Sequence, residues 1–166
     1  ATLTPMEGLS VLWAGAYTDA HLTADTDPAG GPVLTGGLDG DQLPNAAKWT
    51  SSLDVDYGWS AFNGAHAYVG GSWRYIGERY TAFDTNLIPV VGASQLKLPS
   101  YNVFDLRLGV DFDRYSLELF AKNVTDERDP ISFGGFGSTP PSSPDPNGQA
   151  SILRPRTVGV SVSARF

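Results

Sequence analysis

Asp54 and Asp56 stand two residues apart, a spacing that puts both carboxylates on one face of an extended strand, where such pairs serve acid–base chemistry. No third group is fixed beside them by spacing. The plainer expectation is a polar lining that also carries Arg74, Asp105, Arg107, Glu118, Lys122 and Arg165, cations facing anions. His21 and His66 are far apart and lack metal-ligand spacing. There is no cysteine, no nucleophile elbow, no phosphate-binding glycine loop and no zinc signature, so neither an enzyme nor a cofactor or metal site is expected. Asp25, Asp27, Asp39 and Asp41 crowd one Gly-rich stretch, and Phe133 and Phe136 punctuate another. The aspartates suit a cationic or calcium-bearing ligand and the phenylalanines an aromatic or sugar ring, but a solvated loop is the stronger expectation for both. Asn123-Val124-Thr125 fits a glycosylation sequon, but its place at a strand end suits side-chain to backbone hydrogen bonding better.

These residues need elements to hold them. With 41% hydrophobic and 17% charged residues, the chain is too polar for a helical membrane protein, and its 11% aromatic content is too high for a disordered one. Eighteen acids against eleven bases give a net charge of -7, which argues against nucleic acid as a partner. No apolar run is long enough for a transmembrane helix, and residues 1–20 have no signal-peptide pattern.

Strict alternation of apolar and polar residues recurs in six segments, the pattern of strands whose two faces meet different surroundings. Leu9, Val11, Trp13, Gly15 and Tyr17 share a face, as do Trp49, Ser51, Leu53, Val55, Tyr57 and Trp59. Ala65 to Tyr75 alternate more weakly. The last three segments carry Phe104, Leu106, Leu108, Val110 and Phe112; Tyr115, Leu117, Leu119 and Ala121; and Val158, Val160, Val162, Ala164 and Phe166.

The links between them alternate in length. Asp113-Arg114 predicts a hairpin pairing Phe112 with Tyr115, Val110 with Leu117 and Leu108 with Leu119, and Asn63-Gly64 marks a second short turn. The other links are long and rich in Gly, Pro and Asp. A soluble domain rarely tolerates several such loops, whereas outer-membrane barrels have short turns on one side and long loops on the other. Their strands of about 9–11 residues turn apolar side chains to lipid and polar ones to the lumen. Tyr57, Trp59, Phe112, Tyr115 and Phe166 then fall near the short-turn interface, and Tyr17, Trp49, Trp73, Tyr75, Tyr101 and Phe104 near the opposite rim.

The order of local motifs resembles the last third of TonB-dependent outer-membrane receptors. It runs from Gly8-Leu9 through Tyr17-Thr18-Asp19-Ala20, Leu43-Pro44 and Arg74-Tyr75-Ile76-Gly77-Glu78-Arg79-Tyr80 to Leu98-Pro99-Ser100-Tyr101-Asn102-Val103-Phe104-Asp105. Asn123, Thr125, Asp126 and Glu127 resemble the family's Asn-Leu-Thr-Asp-Glu box, with Val124 in place of Leu, and Arg154-Pro155-Arg156 to Phe166 resembles its closing strand.

The resemblance implies an all-β fold: an antiparallel transmembrane β-barrel segment, about six strands of a roughly 22-stranded barrel. It implies an outer-membrane location and active import of a scarce small-molecule nutrient such as siderophore-bound iron, cobalamin or a glycan, energised through TonB. The plug, the N-terminal strands and the TonB-contacting segment have no counterpart in the sequence, so the chain is expected to be the C-terminal part of a longer receptor. Val158, Val160, Val162, Ala164 and Phe166 resemble the signal read by the barrel-assembly machinery. The competing expectation is a soluble β-sandwich that binds carbohydrate, with the same alternation turned toward a dry core.

Overall fold

The computed structural model describes residues 1–26, 37–83, 97–134 and 149–165, with strand positions 133, 134 and 149 described for their backbone alone. Eleven strands and one short 3-10 turn (Phe62–Gly64) are present among them. Seven strands form one antiparallel sheet: β1 (Thr2–Met6), β2 (Leu9–Tyr17), β3 (Trp49–Ser60), β4 (His66–Ile76), β7 (Tyr101–Phe112), β8 (Tyr115–Lys122) and β11 (Thr157–Ala164), in that spatial order. Two small hairpins stand apart from it, β5 (Arg79–Tyr80) with β6 (Lys97–Leu98), and β9 (Pro130–Gly134) with β10 (Gln149–Ile152). The large sheet does not close, since β1 and β11 each have one neighbour.

The six expected strands are all present, and the predicted β7–β8 register is observed pair for pair. Register is what makes one face apolar. Tyr57 lies opposite both Leu9 and Val69; Leu108 opposite Val69 and Leu119; Val160 opposite Leu119. A slip of one residue would scramble that continuity across the whole wall.

The additional strand is β1. Pro5 argues against a strand in the sequence, because proline cannot donate to a ladder. β1 is an edge strand with an irregularity between Leu3 and Met6, a setting in which proline is tolerated. It returns through Gly8, whose φ is +79 and where a Cβ would fall on the Gly58 carbonyl oxygen. The short hairpins of the second and third long links were likewise invisible to periodicity, being two to five residues per strand.

Burial follows the faces. Val158 is 74% exposed and Val162 72%, and Leu3, Trp13, Leu106, Leu108 and Leu119 are also open. Among the described residues only Ala65, Leu98 and Val103 form a buried apolar core. A β-sandwich would have covered these side chains with a second sheet, so the soluble carbohydrate-binding expectation is not met. Aromatic pairs flank the bare face at both ends, Tyr57 with Trp59 near the short turns and Tyr17 with Trp49 and Trp73 with Tyr75 near the long links. Tyr101 departs from the expected belt: by alternation it shares the polar face with Val103 and Asp105.

Candidate functional site

The polar face is concave and lined with charge. Asp54, Asp56, Asp105, Arg107, Glu118 and Lys122 surround a hollow of about 410 Å³. β3, β4 and β7 bring Asp56 and Arg107 together across Gly70, where a side chain would strike both residues. Arg107 Nη2 donates to Asp56 Oδ1 at 2.6 Å and Nε to the same oxygen at 3.2 Å. Tyr68 donates its hydroxyl proton to Glu118 Oε2 at 2.8 Å, crossing over Gly109, where a methyl group would fall on the tyrosine ring. Asp54 lines the hollow but makes no ion pair among the described residues. Asp56 is thus engaged by the Arg107 guanidinium.

At the end of β8 the chain leaves the sheet through a polar clasp. Asn123 is 5% exposed with φ +51, a left-handed conformation that asparagine tolerates. Its Nδ2 donates to the carbonyl oxygens of Glu127 and Arg154, each at 2.8 Å, and its Oδ1 accepts from the Glu127 amide at 2.9 Å. Asp105 Oδ1 accepts the Asn123 backbone N–H at 2.7 Å. Asp126, also at positive φ, accepts from the Arg156 amide through Oδ1 at 2.9 Å and from Arg128 through Oδ2 at 2.7 Å. Hydrogen bonds from the Arg128 side chain and the Arg156 amide hold the Asp126 carboxyl below its ordinary value, and the same carboxylate raises Arg128. Thr125 is exposed. Both amide protons of the sequon asparagine are thus engaged on carbonyls.

The remaining rim contacts come from the long links. Arg79, on β5, is buried, donates through Nη2 to the Ile131 carbonyl on β9 at 2.7 Å, and lies 5.5 Å from the Tyr101 ring centroid. Its Nη1 is buried without an acceptor among the described residues. Lys97 pairs with Glu78 at 2.8 Å across the first hairpin, a hydrogen bond that raises the lysine. The Asn45 amide bonds the Tyr80 carbonyl at 2.7 Å, tying the first link to the second.

The loop aspartates hold their own backbone. Asp25 Oδ1 accepts the Asp39 amide at 2.8 Å and Asp41 Oδ2 the Leu38 amide at 2.9 Å. Among the described residues no group of three acidic, histidine or cysteine side chains could hold a metal ion. His21 lies 3.6 Å from Asp19, while His66 begins β4 near the opposite end of the sheet. Asp27, Phe136 and Phe166 lie outside the described residues, as does the side chain of Phe133. Val158, Val160, Val162 and Ala164 point from β11 onto the bare face, and the Arg165 amide donates to the Arg114 carbonyl at 2.9 Å. Tyr68, Arg79 and Arg154 were missed as site residues. Motif position was the available signal for the two arginines, and none marked Tyr68.

Comparison with known proteins decides the family. The family described as TonB dependent receptor-like, beta-barrel matches residues 6–124. The chain belongs to it. The receptor-barrel fold is similar to the siderophore receptor PiuA from Acinetobacter baumannii at 18% sequence identity, with a TM-score of 0.62. That match covers 97% of this chain and 20% of PiuA, so the chain spans about a fifth of that receptor's length. No match to the chain is found among curated proteins. In membrane β-barrels an apolar face is the outer surface of the wall and a polar face its inner lining.

Proposed function

We propose that this chain is part of the wall of an outer-membrane receptor that binds a scarce nutrient of the siderophore–iron, cobalamin or glycan class and passes it inward with energy from TonB. The observation that carries the reading is the broad apolar face: seven paired strands, bare toward one side, with aromatic pairs at both ends. A hydrocarbon environment stabilises such a face, and water does not. Membership of the receptor family and the likeness to a siderophore receptor support the same direction.

In this reading the sheet's two open edges join further strands. Left in hydrocarbon, each unpaired N–H or C=O would cost several kcal/mol. The missing wall, a plug, TonB and the barrel-assembly machinery are the proposed protein partners, the last of them meeting β11. The work of the protein is recognition and passage, with no bond made or broken.

The experiment is deletion of the gene, followed by uptake of ferric siderophores, cobalamin and oligosaccharides by intact cells. Loss of one of these, restored by the gene and abolished by removal of TonB, is the expected outcome. Uptake of all three classes unchanged by deletion overturns the reading.

A further inference from the structure

Above the acidic hollow of the inner face lies a smaller one of about 170 Å³, walled by β4, β7, β8 and the link from β10 to β11. We propose that it is a seat for an oxyanion-bearing small molecule, held by Arg74, Lys122 and Arg154 and resting against the Tyr101 ring. The inference deepens the receptor reading, on which it depends for the direction the hollow faces.

Three cations reach this hollow from three separate elements, and one carboxylate, Asp105, joins them. Three positive charges less one negative leaves an excess of two. Asp105 is also engaged, since its Oδ1 accepts the Asn123 amide. Among the described residues, Arg74, Lys122 and Arg154 form no ion pair, whereas Arg107 and Arg128 nearby are each matched to an aspartate at 2.6 and 2.7 Å. Gathering unmatched like charges costs Coulomb energy, and an anion placed between them removes that cost. Space is available for about six waters, enough for a small polycarboxylate or phosphate.

The walls supply shape as well as charge. Tyr101 and Pro155 offer flat apolar surface, and Arg79 lies over the Tyr101 ring, its guanidinium adding positive potential beside the seat. Deeper along the face the sign reverses: Asp54, Asp56, Asp105 and Glu118 outnumber Arg107 and Lys122 by four to two. An anion arriving from the loop side therefore meets attraction first and repulsion beyond it, which fixes the depth at which it stops.

The test is calorimetric titration of the intact receptor in detergent with citrate and, separately, inorganic phosphate, using trehalose as the neutral control. Citrate is expected to bind, more weakly as salt rises, with affinity falling about tenfold in Lys122→Gln/Arg154→Gln and unchanged in Arg114→Gln, at the far turn. Arg154→Gln alone, in a link outside the strand ladder, is expected to lose about threefold if the double variant does not fold. Absence of citrate and phosphate binding, or binding indifferent to these substitutions, overturns the proposal. Anion binding that depends on these residues, in a receptor whose deletion changes no uptake, supports the seat and removes the import reading. Import of a neutral nutrient, untouched by Lys122→Gln/Arg154→Gln, sustains import and overturns the seat.

Discussion

The turn joining β7 to β8 and the crossing from β8 to β11 solve the same problem by different means. Asp113-Arg114 reverses the chain at once, so the ladder from Phe112–Tyr115 to Leu106–Ala121 is set by a tight turn and by apolar side chains meeting their counterparts. Between Lys122 and Thr157 lies a long link that includes β9 and β10, too long for a tight turn to fix where β11 lands. There the register is held by side chains: Asn123 grips the Arg154 carbonyl and Asp126 the Arg156 amide, one on each side of Pro155. Where loop length removes the turn's authority, a buried polar clasp replaces it.

The largest effect should come from the feature both regions share. Leu108→Arg places a charge near the middle of the bare face and is expected to destabilise the inserted protein by about 2–4 kcal/mol, measured by reversible denaturant unfolding in lipid vesicles. An equal cost for Ser161→Arg on the inner face would contradict the assignment of faces.

Asn123→Ala separates the two regions. It removes three side-chain hydrogen bonds at a buried position and should cost about 1–3 kcal/mol in the same unfolding measurement. Crosslinking between cysteines introduced at Val160 and Leu119 should fall, while the Val110–Leu117 pair in the turn-set hairpin should crosslink as before. A loss at both pairs would dissolve the distinction.

Gly109→Ala is expected to act on the hairpin side, by about 1–2 kcal/mol, because the added methyl displaces Tyr68 and breaks its bond to Glu118. Native-like stability with Tyr68 still bonded, read from hydroxyl exchange, would refute it. Arg107→Gln should be milder, at most about 1 kcal/mol, since the pair with Asp56 is half exposed and solvent screens it.

The smallest expected effect is a pH dependence of the clasp. The Asp126 carboxyl is lowered in the folded chain, so its contribution is complete above the unfolded value of about 4 and is lost as pH falls through the lower folded value. Asp126→Asn should flatten that acid limb of the stability profile. Its persistence in the variant would mean that another carboxylate produces it.

Much of the wall was legible in advance because a strand's side-chain period is two and lipid demands a long apolar series. Leu106, Leu108 and Val110 announce their face without help from any neighbour. β1 was hidden because Pro5 is forbidden at a central strand and tolerated at an edge, and edge status belongs to the sheet. The clasp was legible only as a box of residues at a strand end; its partners Arg154 and Arg156 lie thirty residues away. The seat was less visible still, because Arg74, Lys122 and Arg154 become neighbours only when three strands and a link converge.

The sequence by itself determined which side chains share the apolar face and which the polar one, how the β7–β8 hairpin pairs, and where short turns alternate with long links, since these follow from local period and nearest-neighbour matching. Tertiary structure alone decided that Arg107 is matched to Asp56, 51 residues away, and which cations stand unmatched around one hollow among the described residues. Coulomb interactions depend on distance through space, and alternation along a strand records the face a charge occupies without its depth or its neighbours.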